Sequence, residues 1–266
     1  MEAASYDRIG RNYSVTRRAD PRLASAISEG LGNAVTVVNV GAGAGAYEPA
    51  GREVTAVEPS EVMIAQRSAG SARVVRGRAE ALPFADDSFD AAMAVLSDHH
   101  WNDRRRGLEE LKRVARERVV LFNANPAEAE LFWLTREYLP EFVELIPERY
   151  RHEETWEMEL RDVLGTVTLL PVPIPHDCWD GFYGAFWRRP EAYLQRQVRD
   201  GISVFARLSS EAVRRGIEAL RVDLDSGEWR ERHADLLDLP ALHLGYYVVI
   251  ADLTPSADDE QHPRPL

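Results

Sequence analysis

Lysine is nearly absent. Lys112 is the only one in 266 residues, and every other basic residue is arginine. That excludes a phosphate loop ending in Gly-Lys-Ser/Thr and pyridoxal chemistry, which needs a pocket lysine. Lys112 instead falls on the outward face of a helical pattern over 108–114. A Tyr-x-x-x-Lys dehydrogenase pair is excluded too, since position 108 is Leu. Cysteine occurs once, at Cys178, which leaves no intramolecular disulfide and no cysteine zinc site. The seven histidines are scattered, and no metal centre is expected. No apolar run approaches a membrane span, and Met1 to Arg11 lacks the apolar core of a signal peptide. Positive charge is scarce as well: 32 Lys and Arg against 44 Asp and Glu leave a net charge of −12. Such a surface repels phosphate backbones, so nucleic acid is not an expected partner. The tight basic run Arg104 to Arg106 reads as a solvated helix start. Hydrophobic residues make up 45%, enough for a full core. A cytoplasmic enzyme acting on a small molecule is expected, and composition leaves the oligomeric state open.

The first half of the chain alternates strand and helix. β-Branched apolar runs at 35–40, 53–58 and 73–76 read as buried parallel strands, followed by strands at 89–96 and 118–122. Ser60 caps a short helix, and 103–116 is a longer one. Strands separated by helices imply right-handed crossovers and a doubly wound sheet. The second half changes texture. Helical patterns cover 126–139, 153–164, 190–206 and 209–225, with strands at 166–172 and 244–251. The Pro- and charge-rich stretch 255–266 reads as a disordered tail.

The first strand runs into Gly41-Ala42-Gly43-Ala44-Gly45. Glycines there let the backbone turn sharply and approach a ligand closely. Seventeen residues after Gly41, Glu58 ends the next strand, where a carboxylate can accept both hydroxyl hydrogens of an adenosine ribose. Together these mark a nucleoside site, for which NAD and S-adenosylmethionine both qualify. The spacing is Gly-x-Gly-x-Gly rather than the Gly-x-Gly-x-x-Gly that cradles a pyrophosphate, and a sulfonium amino acid brings no phosphate.

The stretches 38–46, 56–60, 77–84 (with Leu82-Pro83-Phe84) and 87–90, in that order, resemble the class I S-adenosylmethionine-dependent methyltransferases. The likeness is strongest to the broad bacterial small-molecule group with a Leu-Pro-Phe loop. The segment 6–13 is similar to that family's lid, and the resemblance covers roughly residues 5 to 123. It implies an α/β, doubly wound, seven-stranded Rossmann-like sheet with a helical cap inserted before the last strand. The expected units are lid helices over 1–30, a cofactor domain over 31–175, a substrate cap over 176–240 and the last strand over 241–254. It also implies residue roles. Gly41, Ala42 and Gly43 would lie under the methionine and ribose parts of the cofactor, and Glu58 would bind the ribose hydroxyls. Pro59 and Met63 would flank the adenine, with Ala79 and Glu80 at its edge. Leu96 and Ser97 would face the methyl donor. Tyr13 and Arg17 would close over the site, Arg17 meeting the cofactor carboxylate. The chain departs from the family pattern at Asn39 and Arg78, where acids are usual, and at 115–117, which replaces a Pro-Gly-Gly turn.

Methyl transfer needs a base only when the acceptor must lose a proton. His99 or His100, in Ser97-Asp98-His99-His100-Trp101 after the fourth strand, can serve, with Asp98 orienting a ring. His176 beside Asp177 is the competing base. It opens a stretch that packs Trp179, Phe182, Tyr183, Phe186 and Trp187 into nine residues. Those aromatics and His100 are candidate acceptor contacts, equally readable as the core of the cap, and Cys178 as a small buried residue. The expected reaction is methyl transfer to O, N or C of a small organic acceptor, in specialised metabolism. An NAD(P)-dependent oxidoreductase and a cofactor-binding protein without methyl transfer are the alternatives.

Overall fold

The computed structural model describes residues 17–254. Tyr13, most of the 1–30 lid and the 255–266 tail therefore lie outside the described residues.

Seven strands form one sheet in the order β3-β2-β1-β4-β5-β9-β6. They are β1 (Thr36–Val40), β2 (Glu53–Glu58), β3 (Arg73–Arg76), β4 (Phe89–Val95), β5 (Ala115–Ala124), β6 (Val167–Pro171) and β9 (Tyr246–Asp252). All neighbours among β1 to β5 are parallel, whereas β9 runs antiparallel to both β5 and β6. The seven strands expected from the sequence are thus all present. The order reverses between β1 and β4, and at such a switch point the crevice outside the strand ends takes a ligand.

Strand alternation divides the core in two. Val37, Met93, Val120, Phe122 and Val248 face one layer. Val38, Ala92, Val119, Leu121 and Val249 face the other. The helix α1 (Pro21–Gly30) covers the first face. Its start is set by Asp20, whose carboxylate accepts from the Arg22 backbone N–H, and by Pro21 in the first turn. Leu23, Ile27 and Leu31 recur at helical spacing and are 1% exposed, each burial stabilising by roughly 1.5–3 kcal/mol. This part of the expected lid is therefore a layer helix on β5 and β9, because its apolar stripe needs the sheet. The helices α2 (Glu61–Ile64), capped by Ser60, and α3 (Arg104–Val114), capped by Asp103, follow β2 and β4. α3 and α4 (Glu153–Leu164) cover the second face through Leu108, Leu111, Val114, Leu160 and Val163. α3 passes straight into β5 at Ala115, so no Pro-Gly-Gly turn is needed there.

The strands β7 (Ile174–Pro175) and β8 (Ala241–Leu242) pair antiparallel and pin together the two ends of the segment between them. That segment carries α5 (Ser210–Ser226) and packs on the first face together with 132–145. Two helical expectations change. Residues 126–139 form a 3-10 turn, Pro126–Leu131, and a π-turn, Leu134–Tyr138. Residues 190–206 form three short pieces, Pro190–Leu194, Arg196–Asp200 and Ser203–Arg207, because Pro190 starts one and Gly201 ends another. No described helix is long and apolar enough to cross a membrane.

Candidate active site

The glycine run turns the chain at the end of β1. Gly41, Gly43 and Gly45 have φ of +69°, +52° and +88°, conformations that glycine alone adopts without strain. Gly41 and Ala42 donate to Val57 O at 2.9 and 3.1 Å, fastening the turn to β2. A Cβ on Gly41 would stand 2.6 Å from Ser97 Cβ, so the end of β4 closes that side. Glu58 is 5% exposed; its Oε2 accepts from Gly43 N at 2.8 Å and its Oε1 from Ser60 N at 2.9 Å. The carboxylate thus clamps the turn at which it was expected to bind a ribose. Met63 is buried under Gly43, and Pro59 is half-buried beside it.

Asn39 Oδ1 is buried and has no hydrogen-bond partner among the described residues. An orphaned acceptor costs about 1–3 kcal/mol, which a ligand donor would recover. A bare-backbone turn, a carboxylate at the end of β2 and a buried acceptor suited to an ammonium fit the shape and charge of S-adenosylmethionine. Ala79 is 5% exposed and belongs to the second-face core. The Glu80 carboxylate accepts from the Asn102 and Asp103 backbone N–H groups at 2.7 and 3.3 Å, so it also braces the start of α3.

At the end of β4, Leu96 is held at φ +50°, a strain of roughly 1–2 kcal/mol for a residue with a Cβ. Leu96 N donates to Phe122 O at 2.7 Å, and Ser97 Oγ donates to Val40 O at 2.9 Å. One 3-10 turn, Asp98–His100, follows. Asp98 is buried, pairs with Arg104 Nε at 2.9 Å and accepts from the Asn123 amide. Its two oxygens thus serve Arg104 and Asn123, and its charge also acts on the His100 ring. The His99 and His100 rings lie 3.9 Å apart. His99 keeps solvent contact, but desolvation by the atoms crowded around its ring, then the charges of Arg207, Arg17 and Arg104, push it down to about 4, against a hydrogen bond with Asn123. His100 is lowered too, first by burial and then by His99. Both rings are therefore neutral at pH 7.

A cavity of about 360 Å³ lies beyond the ends of β4 and β5. Leu96, His99, His100, Phe182 and Tyr183 line it. Arg17 also reaches it while its guanidinium pairs with the buried Asp180 at 2.6 Å. His176 does not line it: His176 Nδ1 is 2.7 Å from Arg188 Nη2, and Asp177 pairs with Arg22 rather than with the imidazole. Nor do Trp179, Phe186 and Trp187. Trp179 is 52% exposed under the Arg18 guanidinium, Phe186 packs on Tyr193, and the fully buried Trp187 donates to Ile174 O at 2.8 Å. The physical reason is anchoring. The buried Asp20 accepts from Trp179 N, and Asp180 accepts from Tyr47, which hold 177–181 against the start of α1. Burial pushes the Cys178 thiol up to about 12, so it is an inert packing residue.

Sequence reasoning missed the opposite wall. Phe132, Phe142, Ile146, Tyr150, Asn123 and Arg207 also line the cavity. The available signal is the aromatic and apolar density of 131–150, of which the helical pattern covers only the part up to 139.

A family profile described as a methyltransferase domain matches residues 38–122. The chain is 32% identical to a crystal structure from Anabaena variabilis described as a methyltransferase from an antibiotic biosynthesis pathway. That match covers 90% of this chain and 99% of the other, with a TM-score of 0.78. It is 33% identical over 92 residues to the uncharacterised methyltransferase YcgJ of Bacillus subtilis, spanning 30% of this chain and 36% of that protein. It is 31% identical over 122 residues to a malonyl-[acyl-carrier protein] O-methyltransferase of Erwinia pyrifoliae, spanning 43% and 47%. The chain thus spans less than half the length of these two curated relatives. The glycine turn, the clamp at Glu58, the strand order and the near end-to-end match to the Anabaena structure agree: the chain belongs to the class I S-adenosylmethionine-dependent methyltransferases.

Proposed function

We propose that the protein transfers the methyl group of S-adenosylmethionine to an O, N or C atom of a small organic acceptor held in the cavity beyond β4 and β5. The carrying observation is adjacency. Leu96 lines the cavity, and Ser97 beside it touches the Gly41 turn, so donor and acceptor sites meet at one strand end. S-adenosylmethionine, when bound, supplies an already activated sulfonium methyl. The chain's own task is to position the acceptor and exclude water, worth several orders of magnitude in rate. Phe182 and Tyr183 are the part of 176–188 that selects the acceptor. His99, neutral and facing the cavity, receives a proton where the acceptor carries one; its lowered basicity suits an acceptor that needs little help. His176, bonded to Arg188 away from the cavity, is the weaker candidate. The description of the Anabaena relative supports a role in specialised metabolism.

The test is turnover with methyl-labelled S-adenosylmethionine and a panel of small acceptors. S-adenosylhomocysteine and a labelled product are expected, and His99→Ala should lower turnover by roughly 10²–10⁴-fold while His176→Ala changes it little. Cofactor binding without label transfer to any acceptor would favour the non-methylating reading. A nicotinamide dinucleotide in the purified protein, read by mass spectrometry, would favour the oxidoreductase.

A further inference from the structure

Five charged side chains line the cavity: Asp98, Arg17, Arg104, Arg149 and Arg207. Two of the arginines are answered. Arg17 pairs with Asp180, and Arg104 pairs with Asp98 and Glu159. Arg149 and Arg207 form no ion pair with a carboxylate among the described residues. Arg149 lies 4.7 Å over the Tyr150 ring and donates to its hydroxyl at 3.3 Å. Arg207 donates to Leu145 O at 3.1 Å. Both are solvent-exposed at the rim, while Leu96, beside Ser97 and the Gly41 turn, stands at the donor end. The walls between are apolar and largely aromatic, with Phe132, Phe142, Phe182 and Tyr246 among them.

In a protein of net charge −12, with carboxylates in excess, two uncompensated guanidiniums on one apolar chamber call for an anion. Guanidinium binds carboxylate through two parallel hydrogen bonds, with geometry as well as charge. We propose that the cavity binds a flat, largely apolar carboxylic acid, with its carboxylate on Arg207 and Arg149 at the rim and its body along the aromatic walls. This names the acceptor class of the methyl-transfer reading and rests on it for the reaction, but not for binding. The field that disfavours a charged imidazole at His99, to which Arg207 contributes, favours an anion in the same space.

The test is calorimetric titration of the full chain with benzoate, cinnamate and 2-naphthoate, each against its neutral primary amide. S-adenosylhomocysteine binding is measured on the same samples. At least one acid should bind ten-fold or more tightly than its amide, and added salt should narrow the gap. Arg207→Gln should abolish most of that preference, Arg149→Gln part of it, and Arg207→Lys should restore some. S-adenosylhomocysteine binding should be unchanged in all three variants, which also reports that they fold. If no acid is preferred over its amide, or if the Arg207→Gln, Arg149→Gln double variant keeps the preference, the inference is overturned, even where S-adenosylhomocysteine binds normally. An acid preference without S-adenosylhomocysteine binding would support the anion site and count against the methyltransferase reading.

Discussion

Glu58 is asked to do two things at once. Its oxygens hold the backbone of Gly43 and Ser60 in place, and the same carboxylate is the ribose ligand expected from the family. Removing it should therefore weaken the cofactor site through both routes. Glu58→Ala is expected to lose about 1–3 kcal/mol of cofactor binding, the range for one charged hydrogen-bonding partner removed. Calorimetry with S-adenosylhomocysteine checks this, and an unchanged affinity would refute the role. At Gly43 the nearest obstacle to a Cβ is the end of a methionine, Met63 Cε at 3.2 Å, which can yield. The φ of +52° cannot, and a β-branched side chain there costs roughly 1–2 kcal/mol before any cofactor arrives. Gly43→Val should bind S-adenosylhomocysteine weakly; normal binding would mean that the turn does not approach the ligand. Both residues were legible in the sequence because strand-end glycines and a following strand-end acid are local patterns. The orphaned Asn39 oxygen was not, because hydrogen-bond satisfaction depends on neighbours from β2 and β4.

At the scale of elements, close packing opposes helix propensity. Gly107 lies inside α3, where alanine would be preferred by about 1 kcal/mol. A Cβ there would run into the Trp101 ring, 2.7 Å from Cζ3. Trp101 closes the site loop over α3 and lines the cavity, so it cannot retreat freely. Overpacking of 1–3 kcal/mol should win, and Gly107→Ala is expected to destabilise the fold and disturb acceptor binding more than cofactor binding. Urea denaturation measures the first part; a gain in stability would show that Trp101 swings clear. The boundary errors belong to this scale too. Residues 126–139 and 190–206 have helical apolar spacing, but their spacing reports only which side is buried. Their backbones are bent into 3-10, π and short α pieces because Trp133, Tyr193 and Phe205 must fill one shared core with Trp187. Gly216 in α5 shows how tight that fit is, with Leu139 Cδ2 at 2.7 Å from where a Cβ would sit.

For the whole molecule, the adjacent histidines make acid stability a readout of the cavity. In the unfolded chain His99 takes a proton near pH 6.5; in the folded protein it resists until about pH 4, and His100 is lowered as well. Between those values the unfolded state binds more protons, so stability falls as pH drops from about 6.5 to about 4 and is fully retained above. Asp20 works lower. Burial raises it, but the hydrogen bonds with Arg22 and the Trp179 N–H hold it at about 2, so its contribution fades only below the usual carboxylate range. The variant His99→Gln, His100→Gln should lose less stability than the parent between pH 7 and pH 5 in urea titrations. An equal loss would mean that other groups carry the acid sensitivity.

The sequence by itself determined the sheet, the glycine turn, the acid at the end of β2 and the methyltransferase family, since each is written in residues close together in the chain. Apolar alternation, glycine at a strand end and a capping serine act over a few residues, and the physics that selects them is equally local. Choosing between His99 and His176 was beyond it. Both carry the same ring beside an aspartate, and the proposal of His99 rests on tertiary placement: His99 lines the cavity, whereas His176 lies against Arg188 outside it. The cavity wall was decided the same way. Phe132 and Tyr150, Arg207, and Tyr246 come from three distant stretches, and they become one surface only when the segment between β7 and β8 folds back over the ends of β4 and β5. A binding site of that kind is a property of packing, and packing joins residues that the sequence keeps apart.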